Sequence, residues 1–90
     1  MSEQPAPKRM GVLWSTKARA SIRAIDRDSA LQILSCVDRF LASGSGDVKN
    51  LKAPRKGYRL RCGDYRLFCD YIEGNRIEIT SVRHRKDAYR

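Results

Sequence analysis

The chain has 90 residues, with 19 Lys and Arg set against ten Asp and Glu, a formal charge of +9 and an isoelectric point near 10.0. That length holds one domain rather than two, and 41% hydrophobic with 32% charged residues excludes an intrinsically disordered composition. The charge excess points to a polyanionic partner, either nucleic acid or an acidic protein segment, and no stretch is long and apolar enough to span a membrane.

Taken in order, residues 1–9 carry Pro5 and Pro7, lack the apolar run of a secretory leader and read as a flexible arm ahead of a single domain over residues 10–90. Met10 to Trp14 is a short apolar run of strand type. Ser15 or Thr16 can cap a helix whose Ala18, Ile22 and Ile25 form one stripe. After Asp26-Arg27-Asp28, Ser29 with Gln32 three residues on predicts the start of a second helix, with Ala30, Ile33, Leu34, Val37, Phe40 and Leu41 on its apolar side. So short a break between helices predicts an antiparallel hairpin. Asp47 to Gly57 reads as a polar loop carrying Lys49, Lys52, Arg55 and Lys56. From Tyr58 the hydrophobic period becomes two. Three strands are expected, Tyr58 to Arg61, Tyr65 to Ile72 and Arg76 to Arg85, joined by two-residue loops at Gly63-Asp64 and Gly74-Asn75. The order β-α-α-β-β-β predicts an α+β fold: an antiparallel sheet with the helical hairpin on one face.

Cys36, Cys62 and Cys69 lack metal-ligand spacing, and His84 has no second ligand nearby, so no metal site is expected. The three cysteines read as reduced, apolar fillers of a cytoplasmic protein. Strand parity then sorts the remaining residues by face. With the two loops as placed, Arg59, Arg61, Arg66, Arg83 and Arg85 share one side of the sheet. Tyr58, Leu60, Tyr65, Leu67, Cys69 and Val82 share the other, which should take the helices. Like charges opposite one another destabilise a sheet, and a bound phosphate would relieve that repulsion while suiting the planar guanidinium fork. The same parity puts His84 on the helix side as a half-buried packing residue.

The succession Trp14-Ser15, helical hairpin, Asp47-Val48-Lys49-Asn50-Leu51-Lys52, Gly57-Tyr58-Arg59-Leu60-Arg61, Gly63-Asp64-Tyr65-Arg66 and Val82-Arg83-His84-Arg85-Lys86-Asp87-Ala88-Tyr89 resembles the RelE/ParE toxin superfamily, over nearly all of residues 10–90. The His-Arg-Lys-Asp-Ala-Tyr ending is closer to its RelE branch. The resemblance implies the RelE-like microbial RNase fold and the toxin of a type II toxin–antitoxin system. Its implied activity is metal-independent, cofactor-free endoribonuclease action on mRNA in the ribosomal A site, and its implied partners are a cognate antitoxin, mRNA and the ribosome. It further implies that Arg59 and Arg61 hold and activate the scissile phosphate, that Arg66 stabilises its charge, that Arg85 sits near the leaving oxygen and that Tyr89 orients a base. Lys49, Lys52, Arg55, Lys56 and Arg83 would grip RNA backbone.

One departure stands out. Relatives often carry lysines where this chain has Arg59 and Arg61, and arginine does not deprotonate near neutral pH, which leaves the general base unassigned, with Lys86 and Tyr89 as candidates. The alternative within the superfamily is a ParE-like toxin that inhibits DNA gyrase by binding protein, without nuclease activity. A plain nucleic-acid-binding module is disfavoured, since the basic residues lie on strands and a loop rather than on a recognition helix.

Overall fold

A computed structural model of the chain describes residues 9–52 and 56–87. Its elements are β1 (Gly11–Trp14), α1 (Thr16–Ala24), α2 (Arg27–Ser43), β2 (Asp47–Asn50), β3 (Tyr58–Cys62), β4 (Tyr65–Ile72) and β5 (Arg76–His84). The fold is α+β, as the periodicities predict. The strands form one sheet in the order β1-β5-β4-β3-β2, in which β2 to β5 are antiparallel and β1 adds to the β5 edge in parallel.

Each helix begins where a side chain can satisfy orphan N–H groups. The Ser15 hydroxyl accepts from the Ala18 N–H at 3.0 Å and opens α1. Asp26, rather than Ser29, opens α2: its carboxylate accepts from the Ser29 N–H at 3.0 Å, a bond that holds its pKa below the usual carboxylate range. The helix therefore starts before the expected capping box, because Asp26 caps the N–H of Ser29 itself. Gly44, in the left-handed region at φ 74°, ends α2.

The core lies between the hairpin and one sheet face. Ala18, Ile33, Val37, Phe40 and Leu41 pack against Tyr58, Leu60, Leu67, Cys69, Ile77, Ile79 and Val82. Leu34, expected inside, is exposed beside Leu31, because the inner stripe of α2 runs through Ile33, Val37 and Phe40. Arg9, assigned to the arm, makes an ion pair with Asp38 of α2. The cysteine expectation needs a larger correction. Cys36 of α2 and Cys62 at the end of β3 are joined as a disulfide, their Cα atoms 5.9 Å apart. Packing the hairpin on the sheet brings together two thiols 26 residues apart, which sequence spacing cannot reveal. Cys69 alone remains a buried thiol, and burial, with a smaller contribution from Asp70, pushes its pKa up to about 12.

Tyr58 is fully buried against the rings of Phe40 and Tyr71, and its hydroxyl has no hydrogen-bond partner among the described residues. Burial, more than the neighbouring Cys69, Tyr71 and Asp70, drives its pKa far above the ordinary 10.0. A folded-state pKa raised in this way favours the native state only while the unfolded phenol also keeps its proton, so stability falls as pH climbs above about 10. Tyr58→Phe removes an unsatisfied polar group whose burial costs about 1–3 kcal/mol. In denaturant titrations at neutral pH this variant should be at least as stable as the wild type, and its stability should decline less steeply through the alkaline range. Equal alkaline slopes would count against the buried phenol.

Two irregularities of the sheet set the geometry of its open face. The β4–β5 hairpin turns through three residues, Glu73, Gly74 and Asn75, rather than the two expected: Ile72 pairs with Arg76, and Gly74 and Asn75 have φ 80° and 56°. Continued unchanged, that register would set Val82 opposite Arg66 and turn Arg83 into the core. A β-bulge prevents this. Cys69 pairs with Ile79 but Phe68 with Ser81, so Thr80 is an extra residue and Arg66 again faces Arg83. The Thr80 hydroxyl donates to the Phe68 carbonyl at 3.0 Å, and the Ser15 hydroxyl donates to the Thr80 carbonyl at 2.9 Å. The cap of α1 thus also pins the bulge.

Candidate functional site

With the register in place, the side of the sheet away from the helices reads as rows of same-face residues across four strands. Asp47, Arg61, Arg66 and Arg83 form one row, on β2, β3, β4 and β5. Lys49, Arg59, Phe68 and Ser81 form the next, and Asp70 opposite Glu78 continues the face beyond it. The expected gathering of Arg59, Arg61, Arg66 and Arg83 is therefore present. Arg85 follows β5 in a turn, where its backbone N–H donates to the Asp64 carbonyl at 2.7 Å and its guanidinium lies 3.9 Å from the Asp64 carboxylate. It stands at the rim of the arginine row rather than on a strand.

Arg66 differs from the other described arginines of the face in being buried. It is 7% exposed, and its Nη1 donates to the carbonyls of Gly63 and Tyr65 at 3.0 and 3.1 Å. One carbonyl belongs to the β3–β4 turn and the other to Tyr65, the first residue of β4, so the tight Gly63-Asp64 turn and the arginine position one another. Arg61 lies 3.6 Å from Asp47. Both groups of that pair are well exposed, which makes it weak and readily exchanged for another anion. A cavity of about 110 Å³ is lined by Asp47, Lys49, Arg59, Arg61 and Arg66. Four cations against one carboxylate surround this small polar cavity, a lining whose charge is complementary to an anion. At a liquid share of about 30 Å³ per water, it has room for a phosphate group.

Residues 47–50, read from sequence as loop, are an edge strand exposed at every position. Asp47 and Lys49 thereby join the arginine face. Their shared parity was a visible signal, masked by the absence of any apolar residue facing a core. Lys52 is exposed beyond the end of β2, and Lys56 lines a second cavity on the same face. Arg55 and Tyr89 lie outside the described residues. His84 pairs with Tyr65 on the helix side, ring edge to face with centroids 5.3 Å apart, and its Nδ1 accepts from the Lys86 N–H. It is turned away from the arginines. Among the described residues no cluster of His, Cys, Asp and Glu suits a metal ion, and no helix is long and apolar enough to cross a membrane.

Comparison with solved structures finds the same fold at low sequence identity. A RelBE2 toxin–antitoxin complex from Mycobacterium tuberculosis matches at 19% identity and a TM-score of 0.74, over 84% of this chain and 98% of that one. A RelE–RelB complex from Pyrococcus horikoshii matches at 20% identity and a TM-score of 0.73, over 89% and 99%. The YoeB dimer from Staphylococcus aureus matches at 21% identity and a TM-score of 0.66, over 84% and 97%. Comparison with curated proteins gives no match. A family model described as the ParE toxin of type II toxin–antitoxin systems matches residues 12–89, nearly the whole folded chain, and the protein accordingly belongs to that toxin family within the RelE/ParE superfamily.

Proposed function

We propose that this toxin is a metal-independent endoribonuclease that cuts mRNA in the ribosomal A site, with the open sheet face as its active face. The observation that carries this reading is the row Arg61–Arg66–Arg83, three guanidiniums side by side on adjacent strands, the middle one buried and oriented by the β3–β4 turn. In the reaction the ribose 2′-OH attacks the adjacent phosphorus, the bond to the 5′-oxygen breaks, and the products are a 2′,3′-cyclic phosphate and a 5′-OH end. The transition state carries additional negative charge on the phosphate oxygens, and fixed cations stabilise it without reorganising. Arg66 is the fixed charge. Arg59 and Arg61 hold the phosphate in the small cavity, and Arg83 and Arg85 extend the cationic surface toward the leaving group. Lys49, Lys52, Arg55 and Lys56 bind flanking backbone, and Tyr89 orients a base. Arginines keep their protons near neutral pH, so they supply charge and position rather than a base.

Action on the ribosome places the toxin in the cytoplasm. Its partner there is a cognate antitoxin, as in the RelBE complexes whose fold it shares, bound through an acidic segment that complements the +9 chain. Expression without that partner should stop translation, with new RNA ends inside translated frames that disappear when ribosomes are withheld. Equal cutting of naked RNA would refute ribosome dependence. The family match favours a second reading, a ParE-like toxin that inhibits DNA gyrase. Inhibition of gyrase supercoiling by the purified chain, with mRNA left intact, would establish that reading instead.

A further inference from the structure

We infer that the cavity beside Arg83 is a nucleobase subsite that prefers guanine, read chiefly by Asp70 and Ser81. This deepens the RNA-cleaving function proposed above and rests on it. The cavity, about 210 Å³, opens on the arginine side of the sheet and is lined by Leu51, Lys56, Phe68, Asp70, Ser81 and Arg83, with Cys69 and Thr80 at its floor. It is smaller than the roughly 300–1,000 Å³ of drug-sized sites. At about 30 Å³ per water it holds some seven waters' volume, the scale of one planar ring system.

Its position relative to the phosphate site follows from the register. Arg66 and Arg83 lie in one cross-strand row, Phe68 and Ser81 in the next, and Asp70 in the one after. Same-face rows are about 6.8 Å apart, two strand rises of about 3.4 Å, which is the scale of the step from a phosphate across its ribose to the base. A nucleotide with its phosphate on the arginine row therefore has its base over Phe68 and its far edge at Asp70. Unstacked RNA bases are commonly held by an aromatic side chain and read along their polar edges.

The chemistry of the far wall selects the base. Asp70 is half-buried, and its carboxylate makes no hydrogen bond or ion pair with another described residue. An ionised carboxylate only accepts, so it suits an edge with adjacent donors, and the N1–H and N2–H2 groups of guanine supply two. Uracil offers one N–H between two carbonyls, which the carboxylate repels. Ser81, whose hydroxyl can donate to the guanine carbonyl, reaches the face only because the β-bulge inserts Thr80. Without that extra residue Ser81 would point to the core. The bulge is pinned from two sides, by the hydroxyls of Thr80 and Ser15, and bulges commonly re-aim side chains beside functional sites.

The intact protein is to be titrated with guanosine 3′-monophosphate and with uridine 3′-monophosphate, followed by amide resonances. The guanosine nucleotide should bind about tenfold more tightly, the discrimination of one good bidentate base contact, and should shift the amides of Asp70 and Ser81. Asp70→Asn should abolish the difference. Ser81→Ala should reduce it ~3-fold, as for a neutral hydrogen bond, and serves if the first variant does not fold. Equal affinity for both nucleotides, or shifts confined to Arg61, Arg66 and Arg83, would overturn the subsite. Because binding is read without ribosomes or cleavage, a protein that prefers guanosine yet cuts no RNA would keep the subsite and lose the nuclease function. Where cutting occurs, Asp70→Asn should level the wild-type preference for codons with guanine next to the cut.

Discussion

Arg66→Ala should lower single-turnover cleavage of ribosome-bound mRNA by about 10²–10³-fold, the loss of about 2.7–4 kcal/mol that follows removal of one preorganised transition-state stabiliser. Arg66 is singled out because it is the buried cation among the described residues of the face. Arg61 and Arg59 line one cavity with Lys49, so each can partly replace another, and their alanine variants should show graded losses. Among the described cations Arg66 alone is buried, and its guanidinium donates to two backbone carbonyls. Its truncation should leave the fold intact, because loss of those two bonds is offset by relief of repulsion from Arg61 and Arg83, its cross-strand neighbours. Arg66→Lys keeps the charge but loses the fork that satisfies both carbonyls, so it should recover only part of the rate. Full activity in Arg66→Ala with unchanged thermal unfolding would show that the active face lies elsewhere. If the chain is a gyrase inhibitor, the same variants should be scored on supercoiling.

Much of this face was legible from alternation alone, and the reasons for success and failure are specific. Gly63-Asp64 is a true two-residue loop, so Arg61 opposite Arg66 follows directly from the sequence. Arg66 opposite Arg83 also agrees with expectation, but through two departures that cancel: a three-residue turn shifts the register by one, and the Thr80 bulge shifts it back. Neither leaves a clear local signal, since Gly74-Asn75 suits either turn and Thr80-Ser81 is ordinary strand sequence. Edge strand β2 escaped detection because a strand with no buried side chain has no hydrophobic period to read. The disulfide and the base-sized cavity are consequences of packing rather than spacing. His84 followed parity, since the bulge lies upstream of it.

Gly57→Ala should be the most damaging single-methyl change to the fold, lowering stability by at least ~3 kcal/mol and the melting temperature by roughly 12 °C or more, at about 4–8 °C per kcal/mol for a domain of this size. Gly57 sits just before β3 at φ 95°, a conformation that costs a non-glycine residue of the order of 1–2 kcal/mol by itself. The larger part is steric. A Cβ built there would run into the Cys69 carbonyl oxygen and the Asp70 carboxylate. The backbone of β4 cannot step aside without breaking the Tyr58–Cys69 pairing that begins the β3–β4 ladder. Gly44→Ala separates the two contributions. Gly44 has a similar φ of 74°, but nothing lies within 4 Å of the position its Cβ would take. That variant should therefore pay only the conformational penalty, about 1–2 kcal/mol. Comparable melting temperatures for the two variants would mean that β3 and β4 do not approach so closely at Gly57. A much larger fall for Gly57→Ala, with the Asp70 wall of the cavity displaced along with it, would show that the close approach sets both the ladder and the far edge of the open face.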